Sequence, residues 1–469
     1  VSRCLALIAI ALVVVPDLRA ADPISSALAV GFGETDITPA IGGKPVYIAG
    51  YGQNRKATGV RDRLKARAFV LSGGGHKVAF VCLDLVGFFN GNVEHVRSRL
   101  AGFDYVLVSS THVHEGPDTL GLWGSGPLAS GVDPLYLRFV EERTADAVRA
   151  ADAAARPVVA RIGSARAPEL LHDGREPYIK HDELVALEFR DSPGGAPAGI
   201  VVQWNCHPET VDSKSTELTS DYVATTVAKL SERHRCPVVY LTGTVGGLMT
   251  TLHVNVPDAA GKVLPEGSVA KMVRYGELLA DVADRALKDA QPIRLTPFEV
   301  RHRAIFLPMD NKLYLLARSI GVLDREGYVW SGDTTRARPS KPEDADKRSC
   351  LKSEIAYLRL GELEVAAIPG EIYPELVLGK VQDPPDPGAD FPAAPVEPAI
   401  YGQLRGKHRM IVGLANDEIG YIIPKRQWDE RPPYCYGRTS PQYGEMNSLG
   451  PDTAPLICEA FRKLVVSGK

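Results

Sequence analysis

The sequence predicts an α/β protein with a mixed β-sheet core flanked by helices. Short apolar, β-branched runs such as Tyr105 to Val108 and Val238 to Thr242 have the length and composition of buried strands. Long amphipathic stretches over 134–155 and 267–289 alternate with them at helical spacing. Neither a solenoid-scale repeat nor a clean linker breaks the chain, so one large unit over residues 21–469 is expected.

The elements follow in chain order. Arg3, an apolar run from Leu5 to Val15, Pro16 and the small residues Ala20 and Ala21 have the layout of a secretory signal peptide over residues 1–20. The run is too short to span a bilayer, so a secreted or periplasmic protein is expected. Residues 29–39 predict an edge strand, and 65–71 and 77–85 predict two more joined by a turn at Gly73, Gly74 and Gly75. A short helix over 93–100 leads to the strand at Tyr105, and the 134–155 helix to a strand at 158–162. An irregular loop over 170–182 comes next. Strands are then expected at 199–204, 238–242, 363–368 and 410–414, with helices at 220–232, 267–289 and 453–465. The 301–349 region reads as an insertion or lid-like excursion, and the Pro- and Asp-rich 383–398 segment as a loop.

Composition removes some classes of function. With 54 basic and 57 acidic residues the formal charge is -3, which gives no electrostatic footing for nucleic acid. Beyond the signal six cysteines remain, an even number in an oxidising compartment, and Cys435 with Cys458 is the first pair expected.

Several strands end in loops that carry metal-competent side chains. His112 and His114 leave the Tyr105 strand two residues apart, so in extended backbone both rings face one point. His207, Glu371 and Tyr421 leave three later strands. In α/β folds ligands gather at the carboxyl edge of the strands, which lets these distant loops share one site. His112, His207 and Glu371 would give a zinc ion two neutral nitrogens and a carboxylate. Tyr421 would add a phenol oxygen or donate a hydrogen bond to an oxyanion. His114 would be a further ligand or an acid/base for the leaving group, and the forked donors of Arg175 suit a carbonyl or carboxylate. The Gly243 to Thr251 loop, GTVGGLMTT, offers backbone N–H groups for an oxyanion but lacks a P-loop lysine. No G-x-S-x-G elbow is present, which argues against a serine hydrolase.

The succession STHVHEGPD, Arg175 with Pro177 and Tyr178, WNCHPET, GTVGG, IPGE, GLANDEIGY and YGEMNSLGPDT resembles the catalytic domain of neutral/alkaline, non-lysosomal ceramidases. The resemblance runs from about Val30 to the end of the chain. It implies a zinc amidase that cuts the N-acyl bond of ceramide, with peripheral membrane contact. By motif, His112, His207, Glu371 and Tyr421 match the zinc ligands, and His114 and Arg175 match groups near the scissile amide. Where the family has an Asp-Val-Ser-Pro-Asn type loop this chain has Thr244, Val245, Gly246 and Gly247, so Gly246 replaces the serine that meets the ceramide head group. Thr244, Gly246 and Gly247 are the expected substrate-binding positions. The resemblance leads to the expectation of a single catalytic domain, with the C-terminal immunoglobulin-like domain absent. Two rivals stand beside this reading: an amidohydrolase-type barrel with a non-lipid substrate, and a catalytically silent, metal-containing extracellular binding protein.

Overall fold

In the computed structural model, which describes residues 27–467, three sheets pack around one shared apolar core. The expected signal peptide and Cys4 lie outside those residues. The first sheet runs, in spatial order, Tyr105–Ser110, His76–Leu83, Lys65–Gly73, Ala29–Asp36 and Arg156–Pro157. The second runs Val238–Thr242, Pro197–Trp204, Glu183–Arg190, Val159–Arg166 and Gln291–Ile293. The third is built on the antiparallel pair Phe298–Pro308 and Ser349–Leu360, extended by Leu363–Ala367 and His408–Val412. A hairpin of Tyr328–Trp330 and Ala337–Pro339 joins the start of Ser349–Leu360.

The pleat explains why the strands read as nearly unbroken apolar runs. On the first sheet Phe69, Phe80 and Leu107 face the shared core. Their neighbours Val70, Val81, Val106 and Val108 face the opposite way, beneath the helices Asn90–Ser98 and Pro134–Ala153. The other two sheets repeat the design. Leu187, Val201 and Leu241 face inward while Ala186, Val202 and Tyr240 pack under Tyr222–His234 and Val269–Lys288. Val365 and Met410 face inward while Ala366 and Ile411 face a cluster that includes Ile457 and Phe461 of Thr453–Val466. A strand covered on both faces has no polar face to alternate with.

Helix starts and close contacts follow from local chemistry. Pro134 takes the first helical position, where its missing N–H costs nothing, and Asp133 accepts from the Leu135 N–H at 2.9 Å. This helix lies directly on Ala29–Asp36 because Gly31 and Gly33 have no side chain: a Cβ on Gly31 would fall 1.9 Å from the Ala151 carbonyl oxygen. That strand pairs with Lys65–Gly73 along its whole length but with Arg156–Pro157 over only two residues, so it is close to the edge expected of it.

Some expectations change. Three open sheets replace the closed barrel that the amidohydrolase rival requires. The excursion at 301–349 contracts to 309–348, because its first residues belong to Phe298–Pro308 and its last begins Ser349–Leu360. The polar residues Arg301, His302 and Arg303 hide the first of these strands. Glu183–Arg190 is a further strand with charge inside it, since buried Glu188 is paired by Arg161 at 2.9 Å and Arg190 at 2.6 Å. The expected Cys435–Cys458 disulfide is absent: all six described cysteines are free and buried. Cys458 packs in the core beneath the last helix, whereas Cys435 sits in a tight turn anchored by its N–H to Asp429. No described helix is long and apolar enough to cross a membrane.

Candidate metal centre and active-site cavity

Six strands in three parallel pairs aim their carboxyl ends at one place. Tyr105–Ser110 runs parallel to His76–Leu83, Pro197–Trp204 to Val238–Thr242, and Leu363–Ala367 to His408–Val412. Their exits are laced together across sheets. Asn416 donates its N–H to Val108 O at 2.6 Å and accepts the Val108 N–H on its side chain at 3.0 Å. Thr242 Oγ1 donates to Thr111 O at 3.1 Å, and the Gly413 N–H donates to Thr242 O at 2.9 Å. Beyond these ties Glu371–Ile372 and Tyr421–Ile422 form a small parallel pair with Glu371 opposite Tyr421.

His112, His114 and His207 meet there, with nitrogen atoms within 4.8 Å of one another. His112 has φ +66°, a conformation a histidine holds only when its surroundings impose it. Its Nδ1 lies 2.6 Å from Val86 O, and His207 Nδ1 lies 2.8 Å from Met249 O. Each carbonyl fixes the proton on Nδ1 and turns the Nε2 lone pair inward. Both Nε2 atoms face one oxygen of Glu371, at 3.3 Å from His112 and 3.0 Å from His207. Three lone-pair donors pointed at each other repel unless a cation or a proton lies between them. A histidine, histidine and carboxylate set with its second ring nitrogens on backbone carbonyls fits zinc.

The titration directions express the same conflict. Burial opposes the charged form of His112 and His207, but Glu371 beside them outweighs it and raises both. Burial would raise Glu371, yet the two imidazoles hold it well below the usual carboxylate range.

His114 has a different environment. Its Nδ1 lies 3.2 Å from Glu209, which also accepts a hydrogen bond from Thr250 Oγ1. Burial pushes His114 down to about 4, so it is neutral at pH 7. Burial would raise Glu209, but the hydrogen bond from His114 leads the effects that hold it to about 2. With Nδ1 facing this carboxylate, the tautomer that carries its proton on Nδ1 and leaves Nε2 unprotonated is favoured. Tyr51 stacks edge-on against His114 with ring centroids 5.0 Å apart.

His112, His114, Glu371 and Tyr421 line a cavity of about 540 Å³. Its walls are mostly aliphatic or aromatic, among them Phe89, Leu120, Trp123, Leu313 and Val322. Tyr421 is buried, and burial, then Glu371, lifts its hydroxyl well above the usual phenol range, so it keeps its proton. Tyr443 packs edge-on against it at 5.9 Å.

The comparisons fit this geometry. Residues 28–122 match the family profile of the neutral/alkaline non-lysosomal ceramidase N-terminal region. A neutral ceramidase from Pseudomonas aeruginosa superposes with a TM-score of 0.68 at 16% identity, over 94% of this chain and 74% of that one. The chain has the neutral ceramidase fold. A ceramidase complexed with C2 gives a TM-score of 0.66 at 16% identity, over 94% of this chain and 75% of that one. No curated protein matches the sequence.

Within this ceramidase fold four expected positions lie away from the cavity. Arg175 is buried and clasped by Glu445 through contacts of 2.6 and 2.8 Å, and it donates to Gln427 O and Tyr443 O, both at 2.7 Å. Its fork therefore holds the loop that carries Tyr443 and does not line the cavity. Thr244 is buried with its hydroxyl 2.8 Å from His181 Nδ1. A Cβ on Gly246 would fall 2.5 Å from the Tyr373 ring and 2.6 Å from the Ile372 backbone, so no serine fits there. Gly247 takes φ +71°. The Thr244 to Gly247 loop packs behind the Glu371 strand, and its continuation supplies the Met249 carbonyl that orients His207.

Three site residues escape the sequence reading. Glu209 stands two residues after His207 in WNCHPET, where the same strand exit could have flagged it. Tyr443 comes from the YGEMN segment, which nothing local links to Tyr421. Glu418 lines the cavity, and burial and then Glu371 raise its carboxyl well above the usual carboxylate range.

Proposed function

We infer that this chain is a secreted, zinc-dependent hydrolase that cleaves the amide bond of an N-acyl-sphingosine or related N-acyl lipid. The observation that carries the reading is the convergence of two Nε2 atoms and a Glu371 oxygen beneath an apolar cavity. His112, His207 and Glu371 would hold the zinc, with Tyr421 beside them. Bound there, zinc supplies a water of lowered pKa and polarises the amide carbonyl.

The remaining work falls to this chain's own side chains. Hydrolysis breaks the C–N bond, the acyl carbon gains the hydroxyl of water, and the amine gains the proton. His114, neutral and held toward the cavity by Glu209, can accept a proton at Nε2 and return it to the leaving nitrogen. Tyr421 keeps its hydroxyl proton and can donate it to the oxygen on which charge develops. The aliphatic walls suit a hydrocarbon chain and keep bulk water from the reacting atoms.

The test is hydrolysis of a fluorogenic N-acyl-sphingosine amide by the purified protein, with and without a chelator. Turnover that the chelator abolishes and added zinc restores is the expected result. Bound zinc with no turnover on any N-acyl lipid or simple amide would favour the silent binding protein instead.

A further inference from the structure

We propose that Arg55 is a positioning residue, which together with Tyr51 grips the backbone carbonyls of His114 and Glu209 and thereby fixes where His114 Nε2 points. The inference deepens the hydrolase reading above and rests on it for the role of His114.

Both gripping residues come from a strap over 46–57 that belongs to none of the three sheets. The strap folds back on itself, with the Ile48 N–H donating to Arg55 O at 2.7 Å and the Ala57 N–H to Val46 O at 2.8 Å. One edge is stitched to the segment that follows His114. There the Ala49 N–H donates to Gly116 O at 3.0 Å, and the Asp118 N–H to Tyr47 O at 2.7 Å. Gly50, at φ +98°, sits directly against the imidazole: a Cβ there would fall 2.3 Å from His114 Cγ, so only glycine lets the strap come this close.

Hydrogen bonds then enclose the pair. Arg55 Nη2 donates to His114 O and, at 3.3 Å, to Ala49 O. The Tyr51 hydroxyl donates to Glu209 O at 3.0 Å. The His114 N–H donates to Pro208 O at 3.3 Å, beside Glu209. Arg55 lies over the Tyr51 ring with Cζ 4.9 Å from its centroid, and that ring meets His114 edge-on, so the grip reaches the imidazole itself. His114 follows a strand of the first sheet and Glu209 a strand of the second, so their spacing depends on contacts of this kind.

Arg55 is placed to hold and not to react. Its side chain is only 8% exposed, and it is not among the residues that line the cavity. Its remaining neighbour is Glu115, wholly buried at 3.9 Å, with neither carboxylate oxygen hydrogen-bonded among the described residues. A buried carboxylate without donors of its own serves as the opposite charge that lets a guanidinium stay beneath the site.

The experiment compares Arg55→Met with the parent on the same fluorogenic amide, both supplied with zinc. Methionine keeps an unbranched stem against Tyr51 but donates nothing. Metal content and KM should stay near the parental values while kcat falls by about tenfold to a hundredfold, the cost of a misplacement on the order of 1 Å. Arg55→Lys, whose ammonium stops about one bond short of Nη2, should recover part of that loss. Because Arg55 acts through His114, adding Arg55→Met to His114→Ala should cost nothing further. An equal fall in both backgrounds overturns the proposal, as does an unchanged kcat. Arg55→Met also leaves Glu115 buried without its cation, so Arg55→Met/Glu115→Gln is made beside it and carries the comparison if the single variant does not fold. A parent that hydrolyses no amide retires the hydrolase reading, and NMR of isotope-labelled histidine side chains then decides the positioning role alone. Arg55→Met should move the His114 ring resonances, and those of His207 far less. His114 resonances that stay in place overturn the proposal.

Discussion

Individual residues divide the site into groups that hold, groups that react and groups that only permit close packing. His114 faces Glu209, whereas His112 and His207 face Glu371. Replacing His114 by alanine should therefore leave metal content near that of the parent and lower turnover by about a hundredfold to ten-thousandfold, the usual worth of a general acid/base. Elemental analysis beside a rate measurement checks both halves. Arg175→Ala should cost about 3–5 kcal/mol, because it leaves Glu445 buried and unpaired. Chemical denaturation measures that loss, and an Arg175→Ala protein of parental stability would return Arg175 to a substrate role. At Gly246 even a methyl group has no room, so Gly246→Ala should destabilise by about 1–3 kcal/mol and disturb the strand that carries Glu371.

At the scale of elements the chain was readable where its pattern was local. Strands covered on both faces announced themselves as β-branched runs, and Pro134–Ala153 and Val269–Lys288 as amphipathic helices. Phe298–Pro308 was hidden because Arg301, His302 and Arg303 interrupt its apolar pattern. Strand exits bearing His112, His207, Glu371 and Tyr421 were visible in the sequence, but their meeting depends on ties such as Asn416 to Val108, more than 300 positions apart. The Thr244 to Gly247 loop misled for the same reason, since nothing local shows that it packs behind Glu371 and away from the cavity. The Lys312–Ser319 helix depends on one cap, Asn311, which accepts from the Leu313 and Tyr314 N–H groups and donates to Met446 O and Ser448 O, both at 2.9 Å. Asn311→Ala should lose about 0.5–2 kcal/mol of local stability, read as faster amide hydrogen exchange over 312–319 and 446–448 than over the sheets.

Across the whole molecule the three sheets are joined by buried polar links as well as by the shared core. Glu354 of the third sheet accepts from Arg97 at 2.8 and 2.9 Å and from Tyr105 at 2.6 Å, which ties it to the first. Burial would raise its carboxyl, but the hydrogen bonds, led by His302 and Arg97, hold it down to about 2 from an ordinary 4.5. A carboxyl lowered in the folded state adds stability that is complete above about 4.5 and is lost as pH falls toward about 2. The thermal midpoint should drop across that window. Glu354→Gln should be less stable at neutral pH and show a flatter profile there.

The proposed chemistry requires distant strand ends to meet at one metal. Elemental analysis of the purified chain beside His207→Ala tests this most directly. About one zinc per chain in the parent and almost none in the variant is the expected result, because His207 supplies one of about three or four ligands. A parent without metal after zinc has been supplied, or a variant that keeps its metal, would contradict it.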